Sequence, residues 1–343
     1  MPTKIEWTDE TWNPTRGCSR VSEGCRNCYA ERQAYRFSDY SEPFHGFVEY
    51  KNRHPSWTGK VELIESKLDE PLHWKKPRRI FVNSMSDLFH EALSDEAIAQ
   101  VWAVMNNTPQ HTYQILTKRE KNMHRVVTEL YGKYAGHFYS WPLPNVLLGV
   151  SVEDQATADA RIPLLLQTPA AVRFVSYEPA LGPVDFIPYL PKCTCGKPWA
   201  RPSPESLEHG LLCEMGGYAG KVSYVSAKLA WIIVGGESGP QARPPAPEWF
   251  RNTRDQCIAA GVPFFLKQWG EWSPIPNNPI NALIEEFERK PSKLRYADVP
   301  VGDGTHHRML RVGKKAAGRL LDGKEWSQFP GSSTVLGRNA HTN

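Results

Sequence analysis

Short apolar runs alternate with helical segments along most of this 343-residue chain, and this alternation constrains its fold most strongly. The runs have the length and composition of buried parallel strands. Strands that alternate with helices indicate βαβ units and a parallel sheet. The predicted strands are residues 79–83, 113–117, 145–152, 172–176, 229–234 and 262–266, with a weaker strand before Pro14.

The predicted helices lie between these strands and carry recognisable end signals. Ser94 caps one helix, with Asp95 and Glu96 in its first turn, and Gly261 stops another. The helices are predicted over residues 27–36, 94–106, 119–131, 155–166 and 247–260.

Six or seven right-handed βα units, with polar residues where each strand ends, predict an α/β fold that is a full or partial (βα) barrel. The carboxyl ends of the strands carry the chemistry in such barrels. An open doubly wound sheet is the alternative. No glycine-rich dinucleotide motif or P-loop follows any of the predicted strands, so neither kind of phosphate site is expected.

The predicted domain organisation is a barrel domain over residues 1–273, with an insertion at about 190–222. Residues 274–343 form a C-terminal extension that we expect to pack on the barrel, with a short helix over 280–289. A hydrophobic fraction of 40% and a charged fraction of 23% are ordinary for a globular protein. The sequence has neither an apolar run of membrane-spanning length nor a signal core at its start, so we expect a cytoplasmic protein with no membrane partner.

Three cysteines, Cys18, Cys25 and Cys28, lie close together after the first predicted strand with the spacing C-x6-C-x2-C. Cys25 and Cys28 are about one helical turn apart, so their thiolates can face the same point. Gly17 and Gly24 precede two of the cysteines, and a glycine lets the backbone approach an inorganic core closely.

Three thiolates without a nearby fourth suit a [4Fe–4S] cluster, since ordinary electron-transfer clusters have four cysteine ligands. The open iron then implies a ligand that is not protein. A zinc site is a second interpretation, although zinc needs a fourth ligand. Structural or redox thiols are a third, and a disulfide is disfavoured in a chain without a secretory signal.

The insertion carries a second group of potential metal ligands, namely Cys193, Cys195, His209 and Cys213. A small zinc knuckle, a second cluster and inert reduced thiols are the interpretations that remain open. Cys257 lies in an apolar helical setting and is predicted to be a core thiol.

A cysteine-triad loop after the first strand of a βα barrel resembles the radical S-adenosylmethionine superfamily. Over residues 5–330 the chain resembles more closely an uncharacterised phage- and prophage-associated family with a three-cysteine motif. The stretches that carry this likeness are Trp12-Asn13-Pro14, Gly17-Cys18, Gly24-Cys25-Arg26-Asn27-Cys28-Tyr29-Ala30, Asn83-Ser84-Met85-Ser86-Asp87-Leu88-Phe89, Leu116-Thr117-Lys118-Arg119, Gly149-Val150-Ser151-Val152-Glu153, Ser176-Tyr177-Glu178-Pro179, Val234-Gly235-Gly236-Glu237-Ser238-Gly239 and Lys267-Gln268-Trp269-Gly270.

The chain departs from the usual superfamily motif in two respects. The first gap between cysteines is wider than the common C-x3-C-x2-C spacing. The residue before the last cysteine is Asn27, where the superfamily usually has an aromatic residue that packs on adenine. Tyr29 is the candidate to take that place.

The superfamily resemblance implies a [4Fe–4S] cluster, S-adenosylmethionine and an electron donor as partner. One electron would cleave the cofactor to methionine and a 5′-deoxyadenosyl radical, which would abstract a hydrogen atom from the substrate. A protein of phage origin would act in the host cytoplasm.

The strand-end residues receive cofactor roles by their position, and an exposed loop or helix-cap residue is the alternative for each of them. Ser84, Ser86 and Asp87 are predicted to bind the methionine amino group. Lys118 and Arg119 are predicted to bind its carboxylate, and Ser151 and Glu153 the ribose hydroxyls. The residues predicted to face cofactor or substrate on the same rim are Glu178, Gly236, Glu237, Lys267 and Gln268.

A nucleotide or nucleic-acid substrate is expected from the charges and rings at the strand ends. The cations are Lys118, Arg119, Arg243 and Lys267, and the aromatic residues are Tyr29, Tyr177 and Trp269. The net charge of +4 neither requires nor excludes nucleic acid. A zinc-binding nucleic-acid module that uses the insertion and the basic run 75–79 is one alternative function. A non-catalytic [4Fe–4S] sensor or partner protein is the other.

Overall fold

The computed structural model describes residues 3, 5–51, 53–134, 138, 140–191, 228–274 and 295–331. The strands are β1 (Glu10–Trp12), β2 (Thr15–Arg16), β3 (Val48–Lys51), β4 (His54–Trp57), β5 (Glu62–Leu63), β6 (Arg79–Val82), β7 (Thr112–Thr117), β8 (Val146–Val152), β9 (Val172–Tyr177), β10 (Trp231–Gly235), β11 (Phe264–Gln268), β12 (Trp272–Pro274), β13 (Tyr296–Pro300), β14 (His306–Arg311), β15 (Leu320–Leu321) and β16 (Lys324–Glu325). The helices are α1 (Tyr29–Tyr35), α2 (Asp95–Asn106), α3 (Glu120–Tyr134), α4 (Gln155–Gln167), α5 (Pro247–Ala260) and the single turn α6 (Lys314–Ala317).

Seven parallel strands form the central sheet in the order β1-β6-β7-β8-β9-β10-β11, which is their order in the chain. A doubly wound sheet would reverse its strand order at a switch point, and this sheet does not. The weak strand expected before Pro14 is β1, whose Thr11 pairs with Phe81. The sequential order confirms the α/β fold and the partial (βα) barrel.

The sheet is strongly curled. The evidence is one aromatic ring that contacts two strands that would lie far apart in a flat sheet. The ring centroids of Phe329 and Phe265 of β11 lie 5.3 Å apart in an edge-on contact, and the Arg79 guanidinium of β6 lies 4.5 Å from the Phe329 ring centroid. Five strand spacings would separate β6 from β11 by about 24 Å in a flat sheet. The two strands therefore face each other across the barrel interior.

The two faces of each strand pack differently, as alternation along a strand requires. Leu148 and Val150 of β8 join the large cluster that includes the helices, whereas Leu147 faces the interior. A cluster of buried, mostly aromatic side chains fills the amino-terminal half of the barrel interior. The carboxyl-terminal half is left open for polar side chains. This interior cluster consists of Trp7, Phe81, Leu147, Phe174, Trp231, Ile233 and Phe265.

The helix predictions are confirmed within a few residues, together with two of their end signals. Ser94 caps α2 by accepting a hydrogen bond from the Ala97 amide at 3.2 Å. Gly261 ends α5 in the left-handed conformation, with φ of 66°.

The described part of the C-terminal extension packs on the barrel. Ser327 bridges to Phe265, and the Leu266 amide donates to the Trp326 carbonyl at 3.0 Å, so this segment covers the edge of β11. β12 pairs with β14 in a small sheet, so this sheet begins before the boundary that we predicted at residue 273.

Two predictions lie outside the described residues. They are the insertion ligands Cys193, Cys195, His209 and Cys213, and the helix over residues 280–289. None of the helices in the described part of the chain is long and apolar enough to cross a membrane.

Candidate functional site

A cavity of about 460 Å³ lies at the carboxyl ends of the parallel strands. Its apolar floor includes Trp7, Phe81 and Leu116. The structure brings together in its wall all three cysteines of the triad and every predicted cofactor residue except Glu153. These wall residues are Cys18, Cys25, Cys28, Ser84, Ser86, Asp87, Lys118, Arg119, Ser151, Glu178, Gly236, Glu237, Lys267 and Gln268.

The loop that carries the cysteines is held by close contacts at its two glycines. A Cβ atom on Gly17, whose φ is 87°, would lie 1.9 Å from the Lys60 carbonyl oxygen. A Cβ atom on Gly24 would lie 2.3 Å from Oε1 of Glu153. The atoms that require glycine at these positions are therefore protein atoms, where we expected an inorganic core.

The three thiols are free and partly exposed, and the surroundings of two of them oppose ionisation. Burial, with Asp87 nearby, raises the pKa of the Cys18 thiol to about 12. Burial also raises the pKa of the Cys28 thiol. A positively charged metal centre would supply the charge that thiolates need at this position.

The arrangement of the thiols bears on which metal they would hold. In the part of the chain that the structure describes, no three histidine, cysteine, aspartate or glutamate side chains are grouped to hold a metal ion. Zinc needs ligands that converge within about 2.0–2.3 Å of one point. The three thiols supply one ligand fewer than a structural zinc site takes, whereas a [4Fe–4S] cluster held by three cysteines would keep one iron open for a ligand that is not protein.

Arg119 is buried, and other protein atoms accept hydrogen bonds from all five of its N–H groups. Nε donates to Glu91 at 2.8 Å, and Nη1 donates to Asp87 at 3.3 Å and to the Cys18 sulfur at 3.8 Å. Nη2 donates to the carbonyl and hydroxyl oxygens of Ser19 at 3.0 and 2.7 Å. Since a guanidinium has five N–H groups, these contacts leave none for a bound carboxylate.

Both carboxylate oxygens of Asp87 also accept hydrogen bonds from protein groups, although Asp87 lines the cavity. Its Oδ1 accepts from the Thr117 hydroxyl at 2.7 Å and the Phe89 amide at 3.0 Å. Its Oδ2 accepts from the Lys118 amide at 3.1 Å in addition to Arg119. Asp87 thus joins the ends of β6 and β7 beneath the cysteine loop.

Glu153 lies behind the cysteine loop, only 1% exposed. Its carboxylate accepts from Lys118 Nζ at 2.6 Å, Arg161 Nη1 at 2.9 Å and the Ser22 hydroxyl at 3.0 Å. Burial would raise the pKa of Glu153, but the charges of Lys118 and Arg161 outweigh it and lower the pKa. Lys118 keeps two N–H groups without an acceptor among the described residues, and it lines the cavity.

Glu237 and Arg243 fasten the cysteine loop on its other side. The Glu237 carboxylate accepts from Arg243 Nη2 at 2.7 Å and from Asn27 Nδ2 at 3.0 Å. Arg243 also donates to the Glu23 carbonyl at 3.0 Å. Asn27 therefore anchors the cysteine loop to the end of β10.

Glu178, Lys267 and Gln268 form a third polar group on the cavity wall. Lys267 Nζ and Gln268 Nε2 each donate to the Glu178 carboxylate at 3.0 Å. Gln268 Nε2 also donates to the Ser238 hydroxyl at 3.0 Å.

Polar groups near the cysteine loop arrange the segment after β6. Asn13 accepts from the Ser84 hydroxyl at 3.2 Å and from the Met85 amide at 3.0 Å. The Ser86 hydroxyl donates to the Thr15 carbonyl at 3.0 Å. Tyr29 donates to the Ser84 carbonyl and is half-exposed to the cavity.

Two lining residues have buried polar atoms that find no partner among the described residues. They are Nδ2 of Asn83 and Oε1 of Gln268. Native proteins satisfy most such groups.

The structure corrects the expectation that a row of aromatic rings stacks on bases. Tyr177 and Trp269 are buried, and they donate to the carbonyl oxygens of Gly182 and Leu320. Tyr177 follows Ser176, which lines the cavity, so alternation along β9 turns Tyr177 to the helix-covered face. Tyr29 is the member of the expected set that reaches the cavity.

The expected cations are all paired with carboxylates. Lys118 pairs with Glu153, Arg119 with Asp87 and Lys267 with Glu178. Arg243 pairs with Glu237. Phosphate binding at these residues would have to compete with internal ion pairs.

Several residues of the site were missed from the sequence. Ser19, Asn83 and Lys314 line the cavity, and Arg161 lies beneath it. Asn83 follows a predicted strand, so its position was a usable signal. Lys314 comes from the C-terminal extension and Arg161 from the middle of α4, and no local pattern marks either of them.

Comparison with known proteins gives one family match and one distant structural match. A family model described as "Protein of unknown function (DUF5131)" matches residues 2–330. No curated protein matches the chain. A solved structure of a spore photoproduct lyase double mutant with bound AdoMet and dinucleoside spore photoproduct is 9% identical, with a TM-score of 0.34, and the match covers 88% of this chain and 68% of that one.

A likeness at this TM-score carries no functional argument. The family match extends over nearly the whole chain and agrees with the span of the motifs described above. The chain therefore belongs to the DUF5131 family of proteins of unknown function.

Proposed function

We propose that this protein is a radical S-adenosylmethionine enzyme. The observation that carries the proposal is the shared cavity wall: three free thiols and the strand-end polar residues line one cavity at the carboxyl end of a partial (βα) barrel. Chemistry belongs at this end of such barrels. Cys18, Cys25 and Cys28 would hold a [4Fe–4S] cluster, and the cavity would hold the cofactor and the reacting part of the substrate.

The bound cluster and cofactor would supply a 5′-deoxyadenosyl radical by one-electron cleavage of S-adenosylmethionine. Lys118, with two free N–H groups among the described contacts, would bind the cofactor carboxylate. The Ser84 hydroxyl would accept from the amino group, and Ser151 would bind a ribose hydroxyl. Trp7, Phe81 and Leu116 would exclude water from the reacting atoms.

We also propose a nucleotide or nucleic-acid substrate and a separate electron donor. Tyr29 supports the first proposal, because its half-exposed ring on the cavity wall is available to stack on a base. Salt-titrated binding to single-stranded DNA, double-stranded DNA and RNA tests it. Undetectable binding even at low salt would leave a free nucleotide or another small molecule as substrate.

Iron and sulfide analysis of the reconstituted protein tests the cluster assignment. Cys25→Ala is expected to lose most of its iron and sulfide, because it removes one of three ligands. Cys257→Ala is the matched control, since this thiol is buried among apolar residues of α5 and should leave the iron content unchanged. Full iron content in Cys25→Ala would overturn the assignment.

A cluster alone does not separate an enzyme from a sensor. Release of 5′-deoxyadenosine after reduction in the presence of S-adenosylmethionine is expected of the enzyme. A protein that holds a complete cluster and releases none would be a non-catalytic cluster protein.

A further inference from the structure

Arg119 is a cavity-wall cation whose contacts include a sulfur atom of the cysteine triad. Its Nη1 lies 3.8 Å from the Cys18 sulfur, within reach of an N–H···S hydrogen bond. The side chain of Arg119 is 2% exposed, so solvent screens its charge little. The Arg119 guanidinium therefore stands beside one of the three proposed cluster ligands, and the carboxylate of its partner Asp87 lies near the same sulfur.

The guanidinium has little freedom to turn away from this sulfur. Glu91, Asp87 and Ser19 accept its remaining N–H groups. Ser19 follows Cys18 directly, so Arg119 contacts both the ligand and the next residue of the loop. A planar fork with five donors can make these contacts together, whereas a lysine ammonium has three donors on a flexible chain.

Two further side chains fix the partners of Arg119. Nδ1 of His90 accepts a hydrogen bond from the Ala92 amide at 3.1 Å. Because Nδ1 is an acceptor, the ring proton lies on Nε2, which donates to the Ser19 hydroxyl at 2.8 Å. Asp87 is held by Thr117 and by two backbone amides. The position of the Arg119 charge is thus set before any ligand binds.

We infer that Arg119 is a positioning residue that raises the reduction potential of the cluster through Cys18. The inference rests on the proposed function, because it requires that Cys18 is a cluster ligand. Reduction adds negative charge to the cluster and its sulfur ligands, and an N–H donor with a positive charge stabilises that form. Hydrogen bonds to sulfur and local charge are known determinants of cluster potential.

The same contacts assign different tasks to two neighbouring cations. Arg119 is committed to the protein and to Cys18, so it acts on the cluster side of the cavity. Lys118 lines the cavity and has two N–H groups without an acceptor among the described residues, so it acts on the cofactor side.

The test is the midpoint potential of the reconstituted cluster, measured by a redox titration followed by electron paramagnetic resonance. The main variant is Arg119→Gln, which removes the positive charge, while the Thr117 hydroxyl and the amides of Phe89 and Lys118 still donate to the Asp87 carboxylate. We expect the ratio of reduced to oxidised cluster at a fixed potential to fall at least tenfold, a shift of about 59 mV to lower potential for one electron.

Arg119→Lys is the second variant, because it keeps the charge and the Asp87 pair and loses the fork. We expect its potential to fall by less than that of Arg119→Gln. The matched control is Arg125→Gln, at an exposed arginine of α3 that pairs with Asp95 of α2 at N–O distances of 2.8 Å. Its potential should equal that of the wild type, since surface charges are screened.

The outcomes separate the inference from the proposed function. A wild-type protein that binds no cluster contradicts the proposed function itself. A normal wild-type cluster whose potential is unchanged in Arg119→Lys and in Arg119→Gln, at equal iron content, overturns the role of Arg119 alone. If Arg119→Gln does not fold, an unchanged potential in Arg119→Lys, which loses the hydrogen bond to Cys18, is sufficient to overturn it.

Discussion

At the scale of single residues, the site is organised by charges that are neutralised within the protein. Asp87, Glu153, Glu178 and Glu237 each pair with a cation and fix a strand end or the cysteine loop. The sequence shows that a polar residue follows each strand. It does not show which of these residues pair with one another, since Asp87 meets Arg119 and Lys118 meets Glu153 only after the sheet has formed.

Lys118 provides the residue-scale prediction, since it lines the cavity and two of its three N–H groups have no acceptor among the described residues. Lys118→Met is expected to raise the dissociation constant for S-adenosylmethionine about tenfold, which corresponds to roughly 1.4 kcal/mol. Equilibrium dialysis with the reconstituted protein measures this constant. Lys121→Met, at an exposed lysine in the first turn of α3, is the control and should bind as the wild type does. Equal binding by all three proteins would refute the role of Lys118.

At the scale of elements, the interior face of the sheet requires a glycine in β8. A Cβ atom on Gly149 would lie 2.5 Å from the ring of Phe174, which is fully buried. Gly149→Ala should therefore lower the free energy of unfolding by about 1–3 kcal/mol, the usual cost of overpacking. Urea denaturation measures the change.

Two further variants show whether the Phe174 contact is the cause. Gly132→Ala, on α3 with open space around it, should be neutral or stabilising, because alanine is the better helix former. Phe174→Leu combined with Gly149→Ala should recover part of the loss, since the two residues touch. A Gly149→Ala protein as stable as the wild type would contradict this packing.

The elements themselves were largely predictable, because apolar runs and caps are local signals. The orientation of the side chains at the strand ends was less predictable from the sequence. Alternation from Phe174 and Ser176 does place Tyr177 on the helix-covered face, so that error was avoidable. The burial of Trp269 depends on Leu320, about fifty residues further along the chain, and no local pattern reveals it.

At the scale of the whole molecule, the described C-terminal segment around Phe329 packs against the interior of the sheet. Phe329 packs on Trp231 and Phe265 inside the curled sheet, and Arg79 lies over its ring. Phe329→Ala should lower the free energy of unfolding by about 2 kcal/mol, less than for a fully buried ring. Phe37→Ala, at an exposed ring, should change stability little. Thermal denaturation measures the stability of both variants. A midpoint for Phe329→Ala equal to that of Phe37→Ala would argue against a structural role for the C-terminal segment.

The central claim is that the three cysteines and the barrel cavity form a site for reductive cleavage of S-adenosylmethionine. Quantification of 5′-deoxyadenosine by chromatography, after anaerobic reduction of the reconstituted protein with the cofactor, tests it most directly. The wild type and Cys257→Ala are expected to form 5′-deoxyadenosine, and Cys25→Ala is expected to form none above background. A wild-type protein with a complete cluster and bound cofactor that forms no 5′-deoxyadenosine would contradict it.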